Sequence, residues 1–142
     1  MSMRLVLVNH CHPATPHVCA LRMREFARAL AGLGHAVVLL TETLDAGPDA
    51  PAPAAIKDEI AAWDFARPFF LACPPTVGLL TGRLRAGTLP PVLRQGVIAW
   101  HYLARGGVFS DWRAGTQPYL GVLAEAFRPD LAWASFGNTD CW

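Results

Sequence analysis

The stretch His10 to Cys19 gathers three of the chain's five histidines and two of its four cysteines, with Pro13 and Pro16 between them. Imidazole and thiolate are ligands for zinc, and imidazole also hydrogen-bonds substrate hydroxyls or serves a nearby thiol as a base. Zinc fits poorly. The spacing of His10, Cys11, His12, His17 and Cys19 matches no common zinc pattern, and only one local stretch contributes ligands. No metal is assigned. The reading adopted is a substrate-binding loop in which His10, His12, Thr15 and His17 make hydrogen bonds or face a cleft. A second polar cluster, Ser135 to Asp140, adds Ser135 and Asn138 as contacts for a substrate hydroxyl, although for Asn138 the N-cap of a helix is the favoured reading. Neither a Ser-His-Asp nor a Cys-His catalytic set can be assembled from spacing alone, so the catalytic residues stay unassigned.

The flanking elements explain why these residues should meet. Arg4 to Asn9 is an apolar run short enough for a strand buried on both faces. Ala20 to Leu33 is helical, with Met23, Phe26, Ala27 and Leu30 on one face, and Gly32 and Gly34 close it. His35 to Thr41 is a second buried strand. Strand, helix and strand at this spacing predict a right-handed βαβ unit with parallel neighbours. Glu42 to Pro53 reads as a loop and Ala54 to Trp63 as a surface helix, with Ile56 and Ile60 facing in. Arg67 to Cys73 reads as a third strand and Thr76 to Thr88 as irregular chain. Val92 to Arg105 should be a helix burying Leu93, Val97, Trp100 and Leu103. Asp111 to Gly115 reads as a turn, Gln117 to Phe127 as a helix burying Leu120, Leu123, Ala124 and Phe127, and Leu131 to Ser135 as the fourth strand. Trp100 and Trp133 are expected in the core. The fold class is therefore α/β: a Rossmann-like three-layer sandwich on a mainly parallel sheet of about four strands. In such a sheet the loops after the strands line one edge, where ligands bind. Asn9 to Cys19, Thr41 to Leu44, Cys73 to Val77 and Ser135 to Asp140 would share it.

The front of the chain, Arg4-Leu-Val-Leu-Val-Asn9, Arg24-Glu-Phe-Ala-Arg-Ala-Leu30 and Gly34-His-Ala-Val-Val-Leu-Leu-Thr41, resembles the start of GT-B glycosyltransferases. The similarity is to the retaining group with a "glycosyltransferase 4-like" N-terminal domain. Phe127-Arg-Pro-Asp-Leu-Ala-Trp-Ala-Ser135, followed by Phe136-Gly-Asn, resembles the "Pro-Asp" strand of the same family. The two pieces cover roughly a third of the chain. The resemblance implies the acceptor-side part of an enzyme that moves a sugar from a nucleotide-sugar donor to an acceptor. It implies no cofactor or catalytic metal, with the nucleotide-sugar as co-substrate. Most of the donor site would lie in a C-terminal domain absent from these residues. Gly137 to Asp140 signal a helix just before Trp142, so the sequence reads as a fragment that is inactive alone. Two departures from the family stand out: Pro16-His17-Val18 replaces a Gly-rich loop, and the stretch after the fourth strand lacks the family's histidine.

Composition narrows the alternatives. No glycine falls between Leu5 and Ala31, which excludes a G-x-G-x-x-G dinucleotide fingerprint. The net charge of +1, without a basic run, argues against nucleic acid as a partner. The chain is 53% hydrophobic and 16% charged, more apolar than one soluble domain requires, so some apolar surface should be covered by more protein. Dimerisation through an exposed apolar edge and peripheral contact with a membrane both stay open. The longest uncharged run, Pro68 to Gly82, contains Pro74 and Pro75 and is too short to span a bilayer. Cysteines 11, 19, 73 and 141 form no C-x-x-C pair, which suits reduced thiols in the cytoplasm. A stand-alone Rossmann-like binding module without catalysis is the alternative reading. A flavodoxin-like nucleotide binder is weaker, for want of a phosphate loop.

Overall fold

The computed structural model describes residues 2–44, 51–74, 79–106 and 110–134. Four strands, β1 (Arg4–Val8), β2 (Ala36–Glu42), β3 (Phe69–Cys73) and β4 (Leu131–Ala134), form one all-parallel sheet in the order β3-β2-β1-β4. Helix α1 (Val18–Gly32) covers one face. Helices α2 (Pro53–Ala62) and α5 (Ser110–Val122) cover the other, giving the three-layer α/β sandwich. Alternation sets the two faces. Leu5, Leu7, Val37 and Leu39 point to Met23, Ala27 and Ala31 of α1, while Val6, Val8, Val38 and Leu40 point to Ile56, Ile60, Trp112 and Tyr119. Each fully buried Leu or Val contributes about 1.5–3 kcal/mol of transfer free energy, so β1 and β2 anchor the domain.

Local chemistry fixes the ends of these elements. Leu33 caps α1, and Gly34 follows at φ +85°, a conformation that strains any residue with a Cβ. Asp130 of the Pro-Asp pair brackets the start of β1. Its carboxylate accepts the Arg4 N–H at 2.7 Å, and its own N–H donates to the Arg4 carbonyl at 2.8 Å. The motif therefore sets the register of β4 against β1.

Several sequence expectations need correction. Within the stretch read as irregular, Leu79–Arg85 is a helix, α3. The predicted turn at Asp111 to Gly115 is the front of α5. Asp111, Gly115 and Pro118 all disfavour a helix interior, yet Trp112, Thr116, Tyr119, Leu123 and Phe127 make a buried stripe at helical spacing that outweighs them. Leu120 and Ala124, expected inside, are exposed. The α5 helix widens into a π-helical turn, Leu123–Phe127, that ends at Arg128 with φ +51°. Likewise α4 (Pro91–Trp100) continues as a π-helical turn, His101–Arg105, closed by Gly106 at φ +75°. It buries Val97 and His101, while Trp100 is 60% exposed and Leu93 and Leu103 also face out. Trp133 is 45% exposed rather than core, because β4 is at the edge of the described sheet; Phe26 of α1 reaches over it, with ring centroids 5.5 Å apart.

Candidate functional site

Because the sheet is parallel, the loops after β1, β2 and β3 leave along the same edge. The predicted contacts Ser135 and Asn138 lie outside the described residues, as do Thr76, Thr139 and Asp140. The described part of the edge is built around Asn9.

Asn9 is the first residue past β1 and is almost fully buried on the α1 face. Its backbone N–H donates to the Leu40 carbonyl at 3.0 Å. Its side-chain Nδ2 donates to the Cys19 carbonyl at 3.1 Å, and its Oδ1 accepts the Cys11 N–H at 3.2 Å. One amide thus joins the strand, the start of the loop and the first turn of α1. The Glu42 N–H donates to the His10 carbonyl at 3.1 Å, tying the loop to β2 as well.

The histidines take separate roles on this frame. His10 lies with Nε2 3.3 Å from the Cys11 thiol, whose sulfur is 4.0 Å from His17 Nδ1. His17 is the N-cap of α1: extended backbone, with Nδ1 accepting the Cys19 N–H at 3.3 Å. His12 folds back on its own turn, its Nδ1 accepting the Ala14 N–H at 3.1 Å while its carbonyl accepts the Thr15 N–H at 2.9 Å. Burial holds the His12 pKa below its ordinary value and favours the neutral ring that this bond requires. The Thr15 carbonyl accepts the His17 N–H at 2.8 Å, so Thr15 serves the loop through its backbone. The structure therefore keeps His10, His12, Thr15 and His17 on one loop, with the Cys11 sulfur 3.3 Å from His10 and 4.0 Å from His17. Among the described residues no three His, Cys, Asp or Glu side chains converge as a metal-ligand set.

Two features escaped sequence reasoning. The first lies at the end of β2. The Thr41 and Thr43 hydroxyls are buried and, among the described residues, have no hydrogen-bond partner. Thr41 follows Leu40, the register partner of Val8, so it lies across from Asn9. A buried hydroxyl without a partner is costly, and Thr41 is fully buried, so both hydroxyls are held away from solvent at the end of β2. A threonine ending a strand gives no sequence signal of this kind, since its partners depend on neighbouring chain. The second is a cavity of about 170 Å³ on the opposite face of the edge, lined by Val8, Leu40, Trp112, Thr116 and Leu120, with Arg113 and Gln117. The Trp112, Thr116, Tyr119 spacing was the available signal, masked by the turn-forming residues between them. Cys73, at the end of β3, is not a nucleophile: burial pushes its thiol up to about 12. Among the described residues Cys11, Cys19 and Cys73 form no disulfide.

No family model matches this chain, and neither a curated protein nor a solved structure matches it significantly.

Proposed function

We propose that this chain is the acceptor-side portion of a glycosyltransferase and transfers no sugar by itself. The observation that carries the reading is the pair of buried, unpartnered hydroxyls, Thr41 and Thr43, beside a loop held rigid by Asn9. A sugar acceptor presents hydroxyls that could complete those hydrogen bonds, and His10 and His17 belong to the neighbouring loop, which the His10 carbonyl ties to the Glu42 N–H of β2. Ser135 and Asn138 belong to the same proposed contact set. The donor, a nucleotide-sugar, would be held by a further domain, and catalysis would take place only where both substrates are positioned and shielded from water. No cofactor is proposed beyond the nucleotide-sugar co-substrate, no nucleic acid partner is proposed, and the cytoplasm is the proposed location. Among the described residues no helix is long and apolar enough to cross a membrane.

The test has two arms. The purified chain should give no saturable calorimetric signal with UDP-glucose or GDP-mannose and form no glycoside from either. The fluorescently labelled chain should bind members of a glycan array. Turnover of a nucleotide-sugar would sink the claim of inactivity, and a blank array would sink the acceptor role.

A second reading, a stand-alone Rossmann-like binding module, draws support from the way Asn9, His12 and His17 bond to the loop's own backbone. Groups committed in this way position a surface rather than move protons. Array binding lost in Asn9→Ala, with no dependence on any added donor domain, would favour that module.

A further inference from the structure

Cys11 is the thiol that the front loop flanks with imidazoles. Its sulfur lies 3.3 Å from His10 Nε2 and 4.0 Å from His17 Nδ1. His17 Nδ1 already accepts the Cys19 N–H, so His10 is the ring placed to take the thiol proton. His17 is also the N-cap of α1, which puts the sulfur beside the positive end of a 15-residue helix. Arg24 of α1 donates to the Pro13 carbonyl at 3.4 Å and adds a cation to the same loop. Glu42 is an acid joined to the loop, through the bond from its N–H to the His10 carbonyl. Imidazole, helix N-terminus and cation all favour thiolate over thiol. Cys11 is half-buried rather than enclosed, whereas Cys73 is buried and pushed up to about 12. For Cys19 the backbone N–H, not the sulfur, meets an imidazole among the described residues.

The same surroundings select among the reactions of a thiolate. Acyl transfer to sulfur needs N–H groups aimed at the oxyanion that develops. In this loop the N–H groups of Cys11, Ala14, Thr15, His17 and Cys19 are all engaged by acceptors of the loop or of Asn9. Thiol–disulfide exchange has no such requirement. It needs a thiolate, access to it and a proton for the sulfur that leaves.

We propose that Cys11, paired with His10, is a site of S-thiolation by small-molecule disulfides. The thiol proton passes to His10 Nε2. The thiolate attacks one sulfur of the disulfide, and the S–S bond breaks with its electron pair on the other half. His10 returns the proton to that departing thiolate. Cys11 is thereby oxidised to a mixed disulfide, and one half of the reagent is reduced to a thiol. The inference does not rest on the transferase reading.

The experiment treats the full chain with oxidised glutathione at graded pH and locates the adduct by tandem mass spectrometry. Circular dichroism confirms that each variant is folded. Cys11 should form the mixed disulfide about threefold or more faster than Cys19 at pH 7, a modest ratio because a more acidic thiol is also a weaker nucleophile. The rise of its pH–rate profile should lie below the value near 8.5 of an ordinary cysteine. His10→Gln should slow Cys11 about threefold and move that rise upward, and His17→Gln should do less. Iodoacetamide, which alkylates the thiolate without a disulfide, should give the same ranking. Equal rates at Cys11 and Cys19, or a profile that His10→Gln leaves unchanged, would overturn the proposal. So would a Cys11 that iodoacetamide alkylates quickly while glutathione leaves it unmodified. Should His10→Gln unfold, the wild-type contrast between Cys11 and Cys19 and its pH profile decide alone.

Discussion

The βαβ front and the α3–α4 hairpin are equally rich in apolar residues but use them in opposite ways. In β1, α1 and β2 most apolar positions at strand or helix spacing face the interior, and Leu7, Met23, Leu39 and Leu40 are almost fully buried, although Phe26 of α1 is 42% exposed. In α4 and its extension the stripe is just as regular, yet Val92, Trp100 and Leu103 are exposed, and Val97 and His101 face inward instead. Periodicity shows that a face exists. It does not show which partner covers it.

That contrast can be broken by mutation. The largest effect should come from Leu40→Ala, which opens a cavity between β2 and α5 and should cost about 2–5 kcal/mol in urea denaturation. The same truncation at Leu103 should change stability by less than about 0.5 kcal/mol. Comparable losses at both sites would mean that the stripe is core after all. Asn9→Ala should come next, at about 1–3 kcal/mol, since it leaves the part-buried Cys11 N–H and Cys19 carbonyl without their shared partner. Glycines sharpen the comparison further. Gly34→Ala places a Cβ at φ +85° and should cost about 1 kcal/mol. Gly96→Ala in α4 meets open space and should stabilise by about 0.5–1 kcal/mol in the same denaturation, and a loss of stability would contradict an open α4 face.

The smallest effect is a pH dependence confined to the front loop. Burial lowers the folded pKa of His12 below its unfolded value near 6.5. Above that value both states are neutral and the residue contributes no slope. As pH falls through it, the unfolded chain takes up a proton that the folded chain resists, so stability declines until the folded pKa is passed. Melting curves between neutral pH and about pH 5 should therefore drop more steeply for the wild type than for His12→Gln. A steeper drop in the variant would reverse the assignment.

Much of the sheet could be read directly from the chain. Runs such as Leu5 to Val8 and Val37 to Leu40 are apolar without alternation, which suits strands buried on both faces, and Gly34 marks the turn between helix and strand. The start of α5 was not legible, because Asp111, Gly115 and Pro118 speak for a turn and only the burial of Trp112 and Thr116 overrules them. Trp133 was misplaced for a different reason: a strand's position at the sheet edge is a property of the whole topology. Of the site, the loop and its histidines were visible as composition. The role of Asn9 was not, since two of its three hydrogen bonds reach residues ten or more positions away.

Thr41 is the residue on which the acceptor site depends. Thr41→Val keeps the side chain's shape and removes a buried hydroxyl that has no partner among the described residues. The decisive measurement pairs a thermal melt of this variant with its binding to the glycan array. The prediction is a melting temperature at or above that of the wild type, with glycan binding weakened about tenfold, the loss of a hydroxyl contact in a desolvated site. A lower melting temperature would show that the hydroxyl already serves the fold. Unchanged glycan binding would remove the carboxyl edge as the acceptor site.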